Sequence, residues 1–369
     1  MSFSQALLQP IQIGDLTLKN RVWMAPMTRS RANNPENKVF DIHTTYYRQR
    51  ASAGLIISEG SQISSKAVGY INTPGIYTPE QTEAWKQVTQ AVHEEGGHIF
   101  LQLWHVGRMS HPDFHGGELP VSASATNPNS KSYTPQGFKE TVTAKEMTLE
   151  EIQQTIQDFK NGAKNAMEAG FDGVEIHSSN GYLLHQFFNA TSNFRNDNYG
   201  GSIENRARIL FEVIDAIKEV MPENRIGVRL NPSLHGVFGT EMDESTIPTF
   251  DYIIKRLNEY DLAYLHLSEP FTDVSELPFA EQNIAKRYRP IYHGTLVINN
   301  GFDQKKGNQI IEEGLADAVA YGKPFISNPD LPERFAQNAD LAEWDQDTFY
   351  TPGEKGYTDY PSLQEAKVD

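Results

Sequence analysis

The chain has 369 residues, 38% hydrophobic and 22% charged, which describes a folded protein with a sizeable core, either one large barrel or two ordinary domains. Its formal charge of −16 repels phosphate backbones and anionic lipid, so neither nucleic acid nor a membrane is expected as a partner. Cysteine is absent, which excludes disulfides, thiol nucleophiles, Cys-ligated zinc and iron–sulfur clusters.

In chain order, the opening Met1-Ser2-Phe3-Ser4-Gln5-Ala6-Leu7-Leu8 lacks the basic start and apolar core of a secretion signal, and no long apolar run follows, so a cytoplasmic location is expected. Residues 11–18 alternate apolar and polar around Gly14-Asp15, which predicts a small hairpin. From Arg21 onward a unit recurs: a short apolar strand, a loop and an amphipathic helix. Strands are predicted at 22–25, 55–58, 99–103, 173–177, 226–230, 263–267, 295–298 and 318–321. Their continuous apolar character favours a parallel sheet covered on both faces. Between them lie helix signals. Thr78-Pro79 starts one and Gly96-Gly97 stops it. Thr148-Leu149-Glu150-Glu151 is a capping box leading into the stripe Ile152, Ile156, Phe159, Ala163 and Ala166, which ends at Gly170. Ser202 opens another, with Leu210, Phe211, Ile214 and Ile217 on one side. Eight such units fit a (β/α)8 TIM barrel, read as a single domain over 1–369, better than a doubly wound sheet. Residues 104–148 interrupt the pattern with Gly, Pro, Ser, Asn and His, and are expected to form a loop excursion between strand 3 and helix 3 over the mouth of the barrel.

In such a barrel, chemistry belongs at the carboxyl ends of the strands. Those ends carry Pro26-Met27-Thr28, Glu59-Gly60, Gln102 with Trp104 and His105, His177 with Asn180 and Tyr182, Arg229-Leu230-Asn231, Ser268-Glu269, Asn299-Asn300-Gly301 and Gly322-Lys323. His177 and Asn180 can donate hydrogen bonds to an oxygen, beside a phenol that can donate a proton. That suits activating a carbonyl compound and protonating it nearby; the plainer reading is a strand, turn and core helix with incidental polar residues. Gly301 and Gly322-Lys323, after the last two strands, lie where barrels commonly hold phosphate. Arg229 needs an anionic partner if buried: a phosphate, a substrate carboxylate, a reduced flavin or a nearby side-chain carboxylate. Gln102 suits the edge of a heterocycle or a satisfied core amide. No Rossmann fingerprint, P-loop or nucleophile elbow is present, and His111 and His115 lack the further ligands a metal site needs, so no metal is expected.

These motifs, in this order, resemble the Old Yellow Enzyme family of FMN-dependent ene-reductases, with the N-ethylmaleimide reductase and pentaerythritol tetranitrate reductase group most similar. The resemblance runs nearly end to end. It is carried by Asn20-Arg21-Val22, Ala25-Pro26-Met27-Thr28-Arg29, residues 46–52, Leu101-Gln102-Leu103-Trp104-His105, the 177–187 stretch, Tyr199-Gly200-Gly201-Ser202, Ser327-Asn328-Pro329-Asp330 and Gly356-Tyr357-Thr358-Asp359-Tyr360-Pro361.

The resemblance implies tightly bound, non-covalent FMN, with NADPH or NADH as reductant. Pro26, Met27 and Thr28 would border the flavin. Thr28 and Gly60 would lie near its C4 carbonyl and N5, Gln102 at its pyrimidine edge and Arg229 at N1 and the C2 carbonyl. Gly301 and Gly322 would give amides to the phosphate, with Lys323 beside it. His177 and Asn180 would grip the substrate oxygen, Tyr182 would protonate the α carbon, and Trp104 and Tyr70 would shape the wall. Expected substrates are small molecules: α,β-unsaturated carbonyls and maleimides, extending to nitro compounds and nitrate esters. The chain departs from the family's usual arginine at Lys323 and from a histidine frequent at Asn180. Alternatives are another FMN barrel reductase and a non-turnover FMN-binding or sensor protein, the latter having no use for Tyr182. A monomer and a homodimer are both compatible.

Overall fold

Eight parallel strands, each an apolar run, close on themselves in a computed structural model that describes residues 5–365. Met1 to Ser4, the start of the stretch read above for a secretion signal, lie outside the described residues, as do Ala366 to Asp369. The barrel strands are β1 (Val22–Met24), β2 (Ile56–Ile57), β3 (Ile99–Trp104), β4 (Gly173–His177), β5 (Ile226–Leu230), β6 (Tyr264–Ser268), β7 (Leu296–Asn299) and β8 (Ala318–Tyr321). Each pairs with the next, and β8 returns to β1 with Val319 opposite Val22, so no edge strand remains. All eight fall on the predicted runs: β4, β5 and β8 match at both ends, and β1, β6 and β7 are off by a single residue. β3 extends to Trp104, and β2 is cut to Ile56–Ile57 because the chain turns at Glu59-Gly60 before Ser61 pairs again with Leu103. Gly60 is required there: a Cβ would lie 2.6 Å from the Trp104 ring.

The helices are α1 (Asp41–Gln49), α2 (Pro79–Glu94), α3 (Leu149–Glu168), α4 (Ile203–Lys218), α5 (Thr246–Leu257), α6 (Ile284–Tyr288), α7 (Gln304–Glu312) and α8 (Leu331–Gln337). The capping residues read from the sequence act as such. Thr78, Thr148 and Ser202 accept from the N–H groups of Gln81, Glu151 and Asn205 at 3.2, 3.1 and 3.3 Å. The α3 stripe from Ile152 to Ala166 is buried as its spacing predicts. Ile11–Ile13 and Leu16–Leu18 form the expected antiparallel hairpin.

The excursion between β3 and α3 has more order than its composition suggests. Lys131–Thr134 and Gly137–Glu140 form an antiparallel hairpin, and Val121–Ser122 pairs with Lys145–Glu146. Arg195 Nη1 donates to the carbonyls of Ala123 and Met147 at 2.9 and 2.7 Å, fastening the excursion to the segment after β4.

The tail after α8 returns to the β1 end as a strap. Arg29 donates to the carbonyls of Phe349 and Gly356, and Arg31 to those of Thr348, Phe349, Gly353 and Lys355, at 2.8–3.1 Å. Tyr357 stacks on Tyr46 with centroids 3.9 Å apart; Arg31 lies over Tyr357 and Arg50 over Tyr46, at 4.4 and 3.7 Å. Arg50 also reaches the carbonyls of Phe325 and Ile326, tying this stack to the short helix Lys323–Ser327. Among the described residues no helix is long and apolar enough to cross a membrane.

Candidate active site

At the end of β4 the chain takes two consecutive residues with positive φ, Asn180 at +57° and Gly181 at +75°. Asparagine and glycine tolerate that conformation best. A side chain on Gly181 would meet Thr240 Oγ1 at 2.6 Å, so the turn is closed on both sides. It reverses the chain into the short helix Leu183–Phe188 and sets Tyr182 beside His177, with ring centroids 5.0 Å apart. Trp104 lies edge-on to Tyr182 at 5.0 Å, Phe238 stacks on it at 5.7 Å, and Tyr70 stacks on Trp104 at 5.5 Å. The structure thus brings His177, Asn180, Tyr182, Trp104 and Tyr70 together.

Protonation states follow from burial. Burial, with Tyr70 next, pushes the Tyr182 phenol well above its ordinary value, so it keeps its proton at any physiological pH. Its hydroxyl donates to that of Tyr70 at 3.2 Å. Burial, with the Arg229 charge next, holds His177 well below the usual imidazole value, so it is neutral. Its Nδ1 lies 3.2 Å from Ser179 Oγ; a hydroxyl donating there leaves Nε2 as the N–H that faces outward from the pair.

Below the mouth lies a charged layer inside the barrel. Register places Glu175 opposite Gln102, and Arg229 opposite both His177 and His266. The Glu175 carboxylate accepts from Gln102 Nε2 and pairs with His266 Nδ1, both at 2.8 Å. Burial raises its pKa, but His266, Arg229 and the Gln102 hydrogen bond outweigh that, and it is held below the usual value. Gln102 is therefore partly the core amide of the plainer reading. Arg229 is buried, forms no ion pair among the described residues, and leaves Nε without a partner. A buried guanidinium in that state calls for an electron-rich group placed against it.

Next to Arg229 opens a cavity of about 470 Å³, lined by Pro26, Met27, Thr28, Gly301, Gly322 and Lys323 among others. Gly60 and Gln102 are buried and do not line this cavity; Gly60 packs against Trp104, and Gln102 donates to Glu175. Gly301 has φ +84° with open space where a side chain would stand, and the N–H groups of Gly301 and Gly322 have no acceptor among the described residues. Lys323 is exposed at the rim, its ammonium 5.7 Å from the centroid of Trp344. A volume in the range of small-molecule sites, free amides at one end and an unpaired guanidinium at the other fit FMN.

Sequence reasoning missed Glu175 and His266, although each is an ionisable residue flanked on both sides by apolar residues within a strand run, which was a usable signal. It also missed Phe238, Phe271 and Tyr350, which come from loops and the tail and line the aromatic pocket or the cavity.

The description "NADH:flavin oxidoreductase / NADH oxidase family" belongs to the sequence family whose model matches residues 6–342. The 12-oxophytodienoate reductase 1 of Oryza sativa subsp. japonica is 42% identical over 375 residues, covering 97% of this chain and 93% of that protein. An old yellow enzyme homologue from Zymomonas mobilis superposes with a TM-score of 0.92 at 40% identity, covering 97% of this chain and all of that one (100%). Morphinone reductase in complex with tetrahydroNAD gives 0.90 at 42% identity, covering 98% of both chains. These relatives fix the family without distinguishing a subgroup within it. Likeness of this extent in sequence and in three dimensions establishes descent, and the protein belongs to the Old Yellow Enzyme family of FMN-dependent oxidoreductases.

Proposed function

We propose that the protein is an ene-reductase that uses NADPH or NADH to reduce the activated double bond of α,β-unsaturated aldehydes, ketones and maleimides, with nitro compounds and nitrate esters as further oxidants. The observation that carries this is the placement of a protonated, buried Tyr182 beside neutral His177 and Asn180 at one strand end. Relatives named for ketones, a 12-oxophytodienoate reductase and a morphinone reductase, support it.

FMN, when bound, supplies the hydride it has taken from the nicotinamide. Thr28 and Arg229, which line the cavity, would hold the flavin ring, with Gly60 and Gln102 at its buried edge, and Gly301, Gly322 and Lys323 would hold its phosphate. His177 Nε2–H and the Asn180 amide hold the substrate oxygen and draw electron density from the conjugated double bond. Tyr182 gives its proton to the α carbon, its hydroxyl leaving the hydrogen bond to Tyr70 as it does so, and the Tyr70 hydroxyl donates in return to the phenolate oxygen that remains. Trp104, Phe238 and Tyr70 exclude water and fix the plane in which a substrate lies.

Anaerobic stopped-flow absorbance of the holoenzyme tests this, with NADPH added first and cyclohexenone second. Bleaching of the visible band followed by its return with the enone is the expected result. Bleaching without return would remove the roles given to His177, Asn180 and Tyr182.

A further inference from the structure

One buried amide faces Asn180 without satisfying its own needs. Asn231 stands one residue beyond β5, and the Ser178 N–H donates to the Arg229 carbonyl at 3.1 Å, which sets the segments after β4 and β5 side by side. Across that seam Asn231 Nδ2 donates to Asn180 Oδ1 at 3.2 Å. Asn231 is fully buried and its Oδ1 has no partner. The Asn180 Nδ2 donates to no described residue.

We propose that Asn231 is a positioning residue that fixes the hydrogen-bond polarity of Asn180, so that the pocket presents two donors and takes ligands whose reacting end is an acceptor-only oxygen. Enone and imide carbonyls, nitro groups and phenolates belong to that class. The inference rests on the reading that Asn180 touches the substrate.

The two ends of a carboxamide have nearly the same shape and differ in what they donate or accept. Asn180 alone could present either end to a ligand, and an oxygen facing a substrate oxygen repels it. Rotating only Asn231 sets two carbonyl oxygens against each other. In the arrangement observed, the Asn231 Nδ2 donor takes up the Asn180 oxygen, so the Asn180 NH2 group is the end left for a ligand, and Asn231 is what sets that polarity. An amide kept fully buried with one end unsatisfied is poorly explained by stability alone.

A double-mutant cycle on the holoenzyme tests the proposal: Asn231→Leu, Asn180→Ala and the pair. The readout is the dissociation constant of 4-nitrophenolate for the oxidised protein, followed through the flavin's visible band. Asn231→Leu is expected to weaken binding about tenfold or more, the worth of one hydrogen bond to an oxyanion, and to have no further effect once Asn180 is alanine. Asn231→Ser, whose hydroxyl is too short to span the gap, should behave like the leucine variant and replaces it if leucine prevents FMN retention. An equal loss with and without Asn180, or no loss from either variant, overturns the assignment. Failure of the wild type to bind 4-nitrophenolate overturns it too, because the two-donor pocket is then absent. Wild-type protein that shows the cycle but does not reduce cyclohexenone supports the inference while removing the ene-reductase reading.

Discussion

Tyr182 keeps its proton through burial, and the consequence is kinetic. Tyr182→Phe removes the donor without changing the aromatic wall, so alkene reduction should slow about a hundredfold or more, while reduction of the bound flavin by NADPH stays near the wild-type rate. Equal slowing of both half-reactions, measured separately by stopped flow, would show that the phenol is not the proton source. Lys323 sits exposed at the rim beside Trp344, so Lys323→Ala should raise the FMN dissociation constant by about three- to tenfold. Unchanged binding in a fluorescence titration would assign the phosphate to backbone amides alone. Glu59 shows the opposite balance of burial and partners. It is buried next to Gly60, its Oε2 lacks a partner, and burial raises its carboxyl to about 7 against the partial offset of Arg29. A carboxyl raised in the fold is favoured there when protonated, so stability falls as pH rises from the unfolded value near 4.5 to about 7 and then levels off. Glu59→Gln should therefore melt higher than wild type at pH 8 and close to it at pH 4. A melting difference that does not change with pH would show that Glu59 does not titrate there. At this scale the strand-end residues were legible because a parallel barrel exposes those positions at one face. The pairing of Asn231 with Asn180 was not, because it depends on which way two amides point across separate strands.

Asp172 joins three elements at the opposite end of the barrel, accepting from the Ile99 N–H at 2.8 Å and lying 2.9 Å from His93 Nε2. It thereby ties the end of α2 and the start of β3 to the start of β4. Burial pushes Asp172 upward, but His93, His98 and the Ile99 N–H hold it well below the usual carboxylate value, while the Asp172 hydrogen bond raises His93. The two shifts act in different pH windows. The depressed carboxyl contributes stability above its unfolded value near 3.8, and that contribution is lost as pH falls through the folded value. The raised imidazole contributes fully below its unfolded value near 6.5 and loses its share as pH rises through the folded one. Asp172→Asn should lower the melting temperature at neutral pH and converge with wild type in acid, whereas His93→Gln should flatten the alkaline side of the profile. Parallel profiles for all three proteins would show that this junction does not couple to protonation. Elements were legible where burial dictates pattern. β3, β4 and β5 are buried throughout and mostly apolar because both faces are covered, and α2 and α3 announce their starts with capping residues. α1 gave no such pattern: its buried residues are His43, Tyr46 and Tyr47, which serve a polar aromatic cluster and not an apolar stripe. The small sheets of the excursion escaped notice because strands of two to four residues are too short to show a period.

Across the whole molecule, the first strand's loop, α1 and the tail form one clasp over the cofactor end of the barrel. The motifs Ala25–Arg29, Tyr46–Ser52 and Gly356–Pro361 carried the family resemblance in the sequence, yet their purpose was invisible there, because they are distant in the chain and meet only when the tail returns. Arg31→Met removes four of the strap's anchoring hydrogen bonds, those to Thr348, Phe349, Gly353 and Lys355. The variant should release FMN faster on dilution and be cut by protease near Gly353, at a site the wild type protects. Protection equal to wild type would mean that Arg29 and the Tyr46–Tyr357 stack hold the strap without it. The anchors have one more property: each bond from Arg29 or Arg31 to residues 348–356 ends on a main-chain oxygen. Apart from the ring faces of Phe349 and Tyr357 that the arginines cover, the clasp follows the path of the chain and not the side chains it carries. The side chain at Tyr350, which borders the cavity, can therefore be exchanged without loosening the fold. This makes the strap a place where new ligand preferences can be installed, by evolution or by a library, while the eight strands stay as they are.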